Sequence, residues 1–329
     1  MKILSLCHWS FELSCAGDAV ALILPMTPWA VACYLGVILA GCVVVSIADS
    51  FASEEVATRL RIAKACLVIT QDVLVRGGKH LPLYSRVVVG AGAPAALVLP
   101  CQAWVLPSTP ASPTLVPLRG GDLTWEAFLH PPCQHTQPCQ PTAPASSPKH
   151  PPAPYQPHLL SSARTQPREP AWPGWLHWAG AGDACNILFS SGTTGEPKAI
   201  VWSHTTPLRC AVDGWAHQGI QPGDVCCWPT SLGWMMGPWL VFASLLNGCT
   251  LALYNGSPLG RDFGQFASAA RVNMLGLVPS IVKAWRHSGC MKGLDWPQLK
   301  VISSTGEASS PDDSHWLMAL MRYRVPIID

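Results

Sequence analysis

The chain has 329 residues, of which 49% are hydrophobic, with a formal net charge of +2 and a mean hydropathy of +0.25. That length suggests two domains or one large one, and the apolar content suffices for a large core. The basic residues are scattered and form no stripe of the kind that grips a phosphodiester backbone, which argues against nucleic acid as a partner.

Met1 to Cys15 faintly resembles a signal peptide, but His8 and Glu12 interrupt its apolar part and no small-x-small cleavage site follows. Ala19 to Ala48 carries no Asp, Glu, Lys or Arg, and about 20 apolar residues would span a bilayer. Pro25 and Pro28 break its first third, however, and Val43-Val44-Val45-Ser46-Ile47 is β-branched. The expectation is a buried strand over Ala19–Leu24, a helix over Trp29–Leu39 and a strand over Cys42–Ala48, with no membrane span. Ser53 is expected to cap a helix that has Glu54 and Glu55 in its first turn and runs to about Lys64. On it, Arg59, Arg61 and Lys64 suit the negative C-terminal end of the dipole. Strands are expected over Ala65–Thr70 and Arg86–Gly90, and a short helix over Asp122–Leu129. Alternating strands and helices imply a parallel sheet with right-handed crossovers.

Residues 131–173 hold thirteen prolines among Gln, Ser, His and Ala. Such a segment builds neither helix nor ladder, and it reads as a disordered, low-complexity insertion with peptide docking as a lesser alternative. The domain plan is therefore a first α/β part over 1–130, the insertion over 131–180 and a second α/β part over 181–329.

The most informative stretch follows. Between the apolar runs Asn186–Phe189 and Ala199–Trp202 lies Ser190-Ser191-Gly192-Thr193-Thr194-Gly195-Glu196-Pro197-Lys198. The pattern reads as strand, tight loop, strand. The glycines let the backbone bend and approach a ligand, successive N–H groups favour an anion, the hydroxyls add donors and Lys198 adds charge. A Walker A loop would need its lysine directly after the second glycine and a helix behind it, so this is a different phosphate loop. A ligand-free Ser/Gly turn is the plain alternative. Beyond it, helices are expected over His204–His217, Trp239–Leu246, Asp262–Arg271, from Pro279, and over Pro311–Met321 with Ser309 or Ser310 as cap. Strands are expected over Asp224–Trp228, Thr250–Tyr254, Met274–Val278 and Leu299–Ser303, with another opening in Val325–Asp329. The fourteen cysteines form no C-x-x-C pair and no zinc spacing, and read as reduced, mostly buried thiols of an intracellular protein.

The loop Ser190–Lys198 resembles the signature loop of the adenylate-forming superfamily, which includes acyl-CoA synthetases, luciferases and non-ribosomal adenylation domains. Two further stretches carry the likeness. Thr230-Ser231-Leu232-Gly233-Trp234-Met235-Met236-Gly237 resembles the acyl-pocket motif of acetyl-CoA synthetases, so Trp234, Met235 and Met236 would line the acid's tail; ordinary core packing is the competing reading. Ser303-Ser304-Thr305-Gly306-Glu307-Ala308 resembles the strand-end turn that contributes to the adenine and ribose site, here Gly306, Glu307 and Ala308. The likeness is greatest to plant and algal acyl-activating enzymes.

The resemblance implies the layered αβα sheets of an adenylate-forming N-terminal domain and an AMP-forming acid–CoA ligase that uses ATP, Mg²⁺ and CoA. In that chemistry a carboxylate attacks the α-phosphate, pyrophosphate leaves, and the acyl group passes to the CoA thiol. The phosphate residues would be Ser190, Ser191, Gly192, Thr193, Thr194, Gly195 and Lys198. The family's Tyr-Gly-x-Thr-Glu motif with its metal-binding glutamate, the ribose-binding aspartate and the small C-terminal domain with its catalytic lysine do not occur in this sequence. No catalytic residue or metal ligand is therefore assigned, and little acyl-CoA formation is expected of this polypeptide. A non-catalytic nucleotide-binding or scaffold protein is the alternative. The substrate would be a small carboxylate, with Met235 and Met236 favouring a short or medium chain. The compartment would be cytoplasm or peroxisome, although the chain ends Pro-Ile-Ile-Asp rather than in a peroxisomal address.

Overall fold

A computed structural model describes residues 16–76, 79–90, 102–108, 116–129, 177–190 and 195–329. The apolar opening folds as β1 (Ala19–Ile23), α1 (Pro28–Leu39) and β2 (Val43–Ser46). Thr27 starts α1 by accepting the Ala30 N–H at 3.2 Å, with Pro28 in the first turn, where its missing N–H costs nothing. The helix has 12 residues, about 18 Å of rise against the roughly 30 Å of a bilayer core. Among the described residues no helix is long and apolar enough to cross a membrane.

The chain continues through α2 (Ser53–Ala63), β3 (Leu67–Gln71) and an antiparallel hairpin, β4 (Leu74–Arg76) with β5 (Lys79–Leu81). It then forms α3 (Leu83–Gly90), β6 (Gln102–Leu106), β7 (Leu123–Thr124) and α4 (Trp125–Leu129). After residues 130–176, which include the whole proline-rich stretch 131–173 and lie outside the described residues, come β8 (Ala184–Ser190) and β9 (Lys198–Ser203). These strands make one seven-stranded sheet in the order β7-β6-β3-β1-β2-β8-β9, parallel except for the β8–β9 pair. A second sheet follows from α5 (Thr206–Ala216), β10 (Val225–Cys227), α6 (Met236–Leu245), β11 (Thr250–Ala252), α7 (Arg261–Ala269), β12 (Met274–Leu277), α8 (Pro279–Ser288), β13 (Val301–Ser304), α9 (Pro311–Leu320) and β14 (Ile327–Ile328). Its order is β11-β10-β12-β13-β14, and every pairing is parallel.

The alternation of side chains along each strand builds the layers. Val20 and Leu22 of β1 face a core shared with α1, α6 and, from the other sheet, Cys226 and Met274. Their neighbours Ala21 and Ile23 face the opposite way, onto Val56 and Leu60 of α2 and Leu83 and Val87 of α3. Likewise Cys227, Leu275 and Leu277 turn from the shared core toward Phe263 of α7, Trp285 of α8 and Leu317 of α9. Helices α1 and α6 thus lie between two largely parallel sheets, joined there by Trp125 of α4 and Cys210 of α5, while α2 and α3 cover the outer face of the first sheet and α7, α8 and α9 that of the second.

Four local expectations change. Arg86–Gly90, read as a strand from its valines, is the end of α3, because Leu83 and Val87 stand one turn apart and bury together against α2. Ser53 does not cap α2. The N-cap position is Ala52, whose N–H donates to the Glu55 carboxylate at 2.9 Å, while the Ser53 hydroxyl donates to the Arg86 carbonyl at 2.8 Å. Asp122–Leu129 is not one helix. Leu123–Thr124 pairs with β6, and Thr124 Oγ1 then accepts the Ala127 N–H to start α4. Ser310 occupies the N-cap position of α9 without a side-chain cap bond, and Ser309 instead donates to Asp329 at 3.0 Å.

Candidate nucleotide and acid site

Ligands of parallel α/β sheets sit at the carboxyl ends of the strands, and the sequence-derived candidates all emerge there. Strand β8 ends at Ser190, which pairs with Lys198 as β9 returns antiparallel. Ser191, Gly192, Thr193 and Thr194 lie outside the described residues. Gly195 has φ +92°, a backbone region that a side chain disfavours, and Lys198 is exposed. Strand–loop–strand, with no helix behind the lysine, is incompatible with a Walker A loop. The hairpin stem is fixed from beneath: buried Asn186 of β8 accepts the Ser46 hydroxyl of β2 at 2.7 Å. Its exit is tethered sideways, where Glu196 lies 3.4 Å from Arg61 of α2; both are more than half exposed, so the pair contributes little to stability.

The acyl-pocket candidates follow β10. A side chain at Gly233 would put its Cβ 2.0 Å from the Ala48 nitrogen, so the motif lies directly on the backbone that leaves β2. Trp234 meets Phe51 edge to face, with centroids 5.4 Å apart, and remains half exposed, as does Met235. Met236, the first residue of α6, packs partly against the shared core. The motif therefore presents an aromatic ring and one thioether outward while the next residue anchors it.

The third candidate follows β13. Gly306 has φ +94°, and a Cβ there would lie 3.8 Å from Val278. The Glu307 carboxylate accepts the Ser280 N–H at 2.8 Å and the Ser280 hydroxyl at 2.9 Å. That acid therefore sits at the positive N-terminal end of α8, where it satisfies a free donor. Ala308 is exposed. Beside this turn lies a hollow lined by Pro279, Val282, Ser304, Ser309, Asp313 and Ile327.

Three participants escaped the sequence reading. Arg59, assigned there to the dipole, is buried at 6% exposure, with its guanidinium 3.9 Å from the Phe51 ring centre and 5.7 Å from that of Phe189. Val56, Arg59 and Leu60 share one helix face by their i, i+3, i+4 spacing, which was the available signal. Phe189 precedes the hairpin and Phe51 touches Trp234, so this cluster links the strand that leads into the hairpin to the acyl candidate. Gly306 and Glu307 contact the second sheet's own elements instead. Burial lowers the Arg59 pKa, opposed by the Glu55 charge. Burial also pushes the thiols of Cys33, Cys226 and Cys227 up to about 12, which makes them poor nucleophiles. Among the described residues no three His, Cys, Asp or Glu side chains cluster as metal ligands would.

Comparison with known proteins gives a consistent result. A family described as "AMP-binding enzyme" matches residues 15–329. Hexanoyl-CoA synthase of Cannabis sativa is 47% identical over 95% of this chain and 37% of its own length. Probable acyl-activating enzyme 18, peroxisomal, of Arabidopsis thaliana is 46% identical over 97% of this chain and 38% of its own length. The chain thus spans well under half the length of these relatives. Acetoacetyl-CoA synthetase from Streptomyces lividans superposes with a TM-score of 0.73 at 24% identity, over 99% of this chain and 45% of that one, and so shares its fold.

Proposed function

The chain belongs to the AMP-binding enzyme family, and on that premise we propose that it supplies the nucleotide- and acid-binding part of an AMP-forming acid–CoA ligase. The observation that carries this reading is the β8–β9 hairpin, a glycine-bent turn at a strand's carboxyl end with Lys198 exposed on its exit. In this reading Ser190, Ser191, Thr193, Thr194 and Lys198, with the amides around Gly192 and Gly195, hold the polyphosphate of ATP. They offset the charge that grows on the departing pyrophosphate as a carboxylate oxygen bonds to the α-phosphorus. Gly306 and Ala308 border the adenine and ribose through their backbone, because the Glu307 carboxylate is occupied by Ser280. Trp234 and Met235 wall the acid's tail with flat and flexible apolar surface, and Met236 fixes that wall to the core.

CoA would be the acyl acceptor. Mg²⁺, which would screen phosphate charge, is assigned no protein ligand, because the described residues offer it no carboxylate cluster. A six-carbon acid, indicated by the name of one relative, is the chain length to try first. Cytoplasm or peroxisome is the proposed compartment, the latter on the names of two relatives.

Titration with ATP tests the reading. The wild-type chain should bind saturably, and a Thr193→Val/Thr194→Val variant should bind at least about tenfold more weakly, a loss of about 1.4 kcal/mol. Equal affinity in the two proteins would refute it. Pyrophosphate exchange dependent on a carboxylate would exclude a purely non-catalytic role.

A further inference from the structure

A buried charge normally has a partner, because leaving water uncompensated is costly. Arg59 departs from that rule. It is 6% exposed, and one guanidinium nitrogen, Nη1, donates to the Glu55 carbonyl at 2.9 Å. Its Nε is buried and has no hydrogen-bond partner. Among the described residues it joins no ion pair: the Glu55 carboxylate accepts the Ala52 N–H, and neighbouring Arg61 pairs with Glu196. What holds Arg59 is aromatic. Phe51 faces the guanidinium at 3.9 Å and Phe189 stands 5.7 Å away, contacts that favour a cation without neutralising it.

The location gives this charge a use. Phe189 immediately precedes Ser190, where the hairpin opens, and Phe51 lies edge to face against Trp234. A fixed cation in poorly solvated surroundings acts over longer range than a mobile one in water. We propose that Arg59 is a positioning residue for the polyphosphate site: a buried cation, without an ion-pair partner among the described residues, that draws the nucleotide's anionic tail to the hairpin without touching it. It also holds Phe51 against the Trp234 wall. The inference rests on the nucleotide-binding reading above and adds to it a residue outside the three sequence motifs.

The test uses the full chain with ATP as probe, read as dissociation constant, salt dependence and melting temperature. Arg59→Met, with Arg59→Gln as a second neutral variant able to keep the Glu55 bond, should weaken ATP binding about five- to tenfold and flatten its dependence on ionic strength. Arg59→Lys, which keeps the charge but not the planar stacking, should melt lower than wild type yet bind ATP within about twofold. A folded neutral variant with wild-type ATP affinity overturns the proposal. So does a folded Arg59→Lys that loses affinity as fully as the neutral variants, since charge would then not be the cause. Failure of the wild-type chain to bind ATP overturns the nucleotide-binding reading itself, a result distinct from either.

Discussion

The two candidate turns at the strand ends differ in the residues that flank them. In the seven-stranded sheet the β8–β9 hairpin ends in an edge strand, its lysine is exposed, and Glu196 on its exit makes a surface ion pair with Arg61. In the five-stranded sheet the turn after β13 lies between parallel neighbours, and its acid already holds both donors of Ser280. The described exit of the first carries an exposed lysine, whereas the second has committed its acid internally. Substitutions in the hairpin should therefore alter ligand affinity and leave stability nearly unchanged, and substitutions of the Ser280–Glu307 pair should do the reverse.

The largest effect is expected where the acyl motif meets the first sheet. Gly233→Val forces side-chain atoms into the Ala48 backbone, so it should cost about 3 kcal/mol or more and lower the melting temperature by roughly 5 °C or more. A wild-type melting temperature would mean that the motif does not lie on β2. Gly306→Ala has space but the wrong backbone angle, and should cost about 1–2 kcal/mol in denaturant unfolding. Ser280→Ala removes one of the two bonds to Glu307, with an expected loss of about 1 kcal/mol and little change in ATP affinity. A large affinity change with unaltered stability would reverse the roles given to the two turns. Arg61→Ala should move stability by less than about 0.5 kcal/mol, given the exposure of its pair.

A pH effect separates the sheets further. Burial alone would raise the Asp122 pKa, but hydrogen bonds from Arg119, Tyr84 and Ala103 and the Arg119 charge outweigh it and lower it. A lowered folded-state pKa gives stability that is complete above the ordinary carboxylate value of about 3.9 and lost as pH falls toward the folded value. Acid unfolding below about pH 4 should therefore be less steep in Asp122→Asn than in wild type, measured by circular dichroism.

Much of this was legible in the residues because the signals were local. The apolar run Ala19–Ala48, punctuated by Thr27-Pro28 and Gly41, gave β1, α1 and β2 nearly to the residue. The hairpin stems were visible as apolar runs flanking a glycine–hydroxyl loop. What could not be read depended on tertiary partners. Three valines at 87–89 favour a strand until α2 offers a groove to Leu83 and Val87. Ser53 looks like a cap until the Arg86 carbonyl proves to be its partner. Arg59 looks like a surface cation until Phe51 and Phe189, distant in sequence, close over it.

Amide hydrogen exchange with and without ATP interrogates the hairpin most directly, because it needs no substitution. ATP should slow exchange across residues 190–198 and at Gly306–Ala308, and leave the outer helices α7 and α9 unchanged. Slowed exchange elsewhere with the hairpin unaffected, at ATP concentrations that saturate binding, would contradict a phosphate grip at this turn.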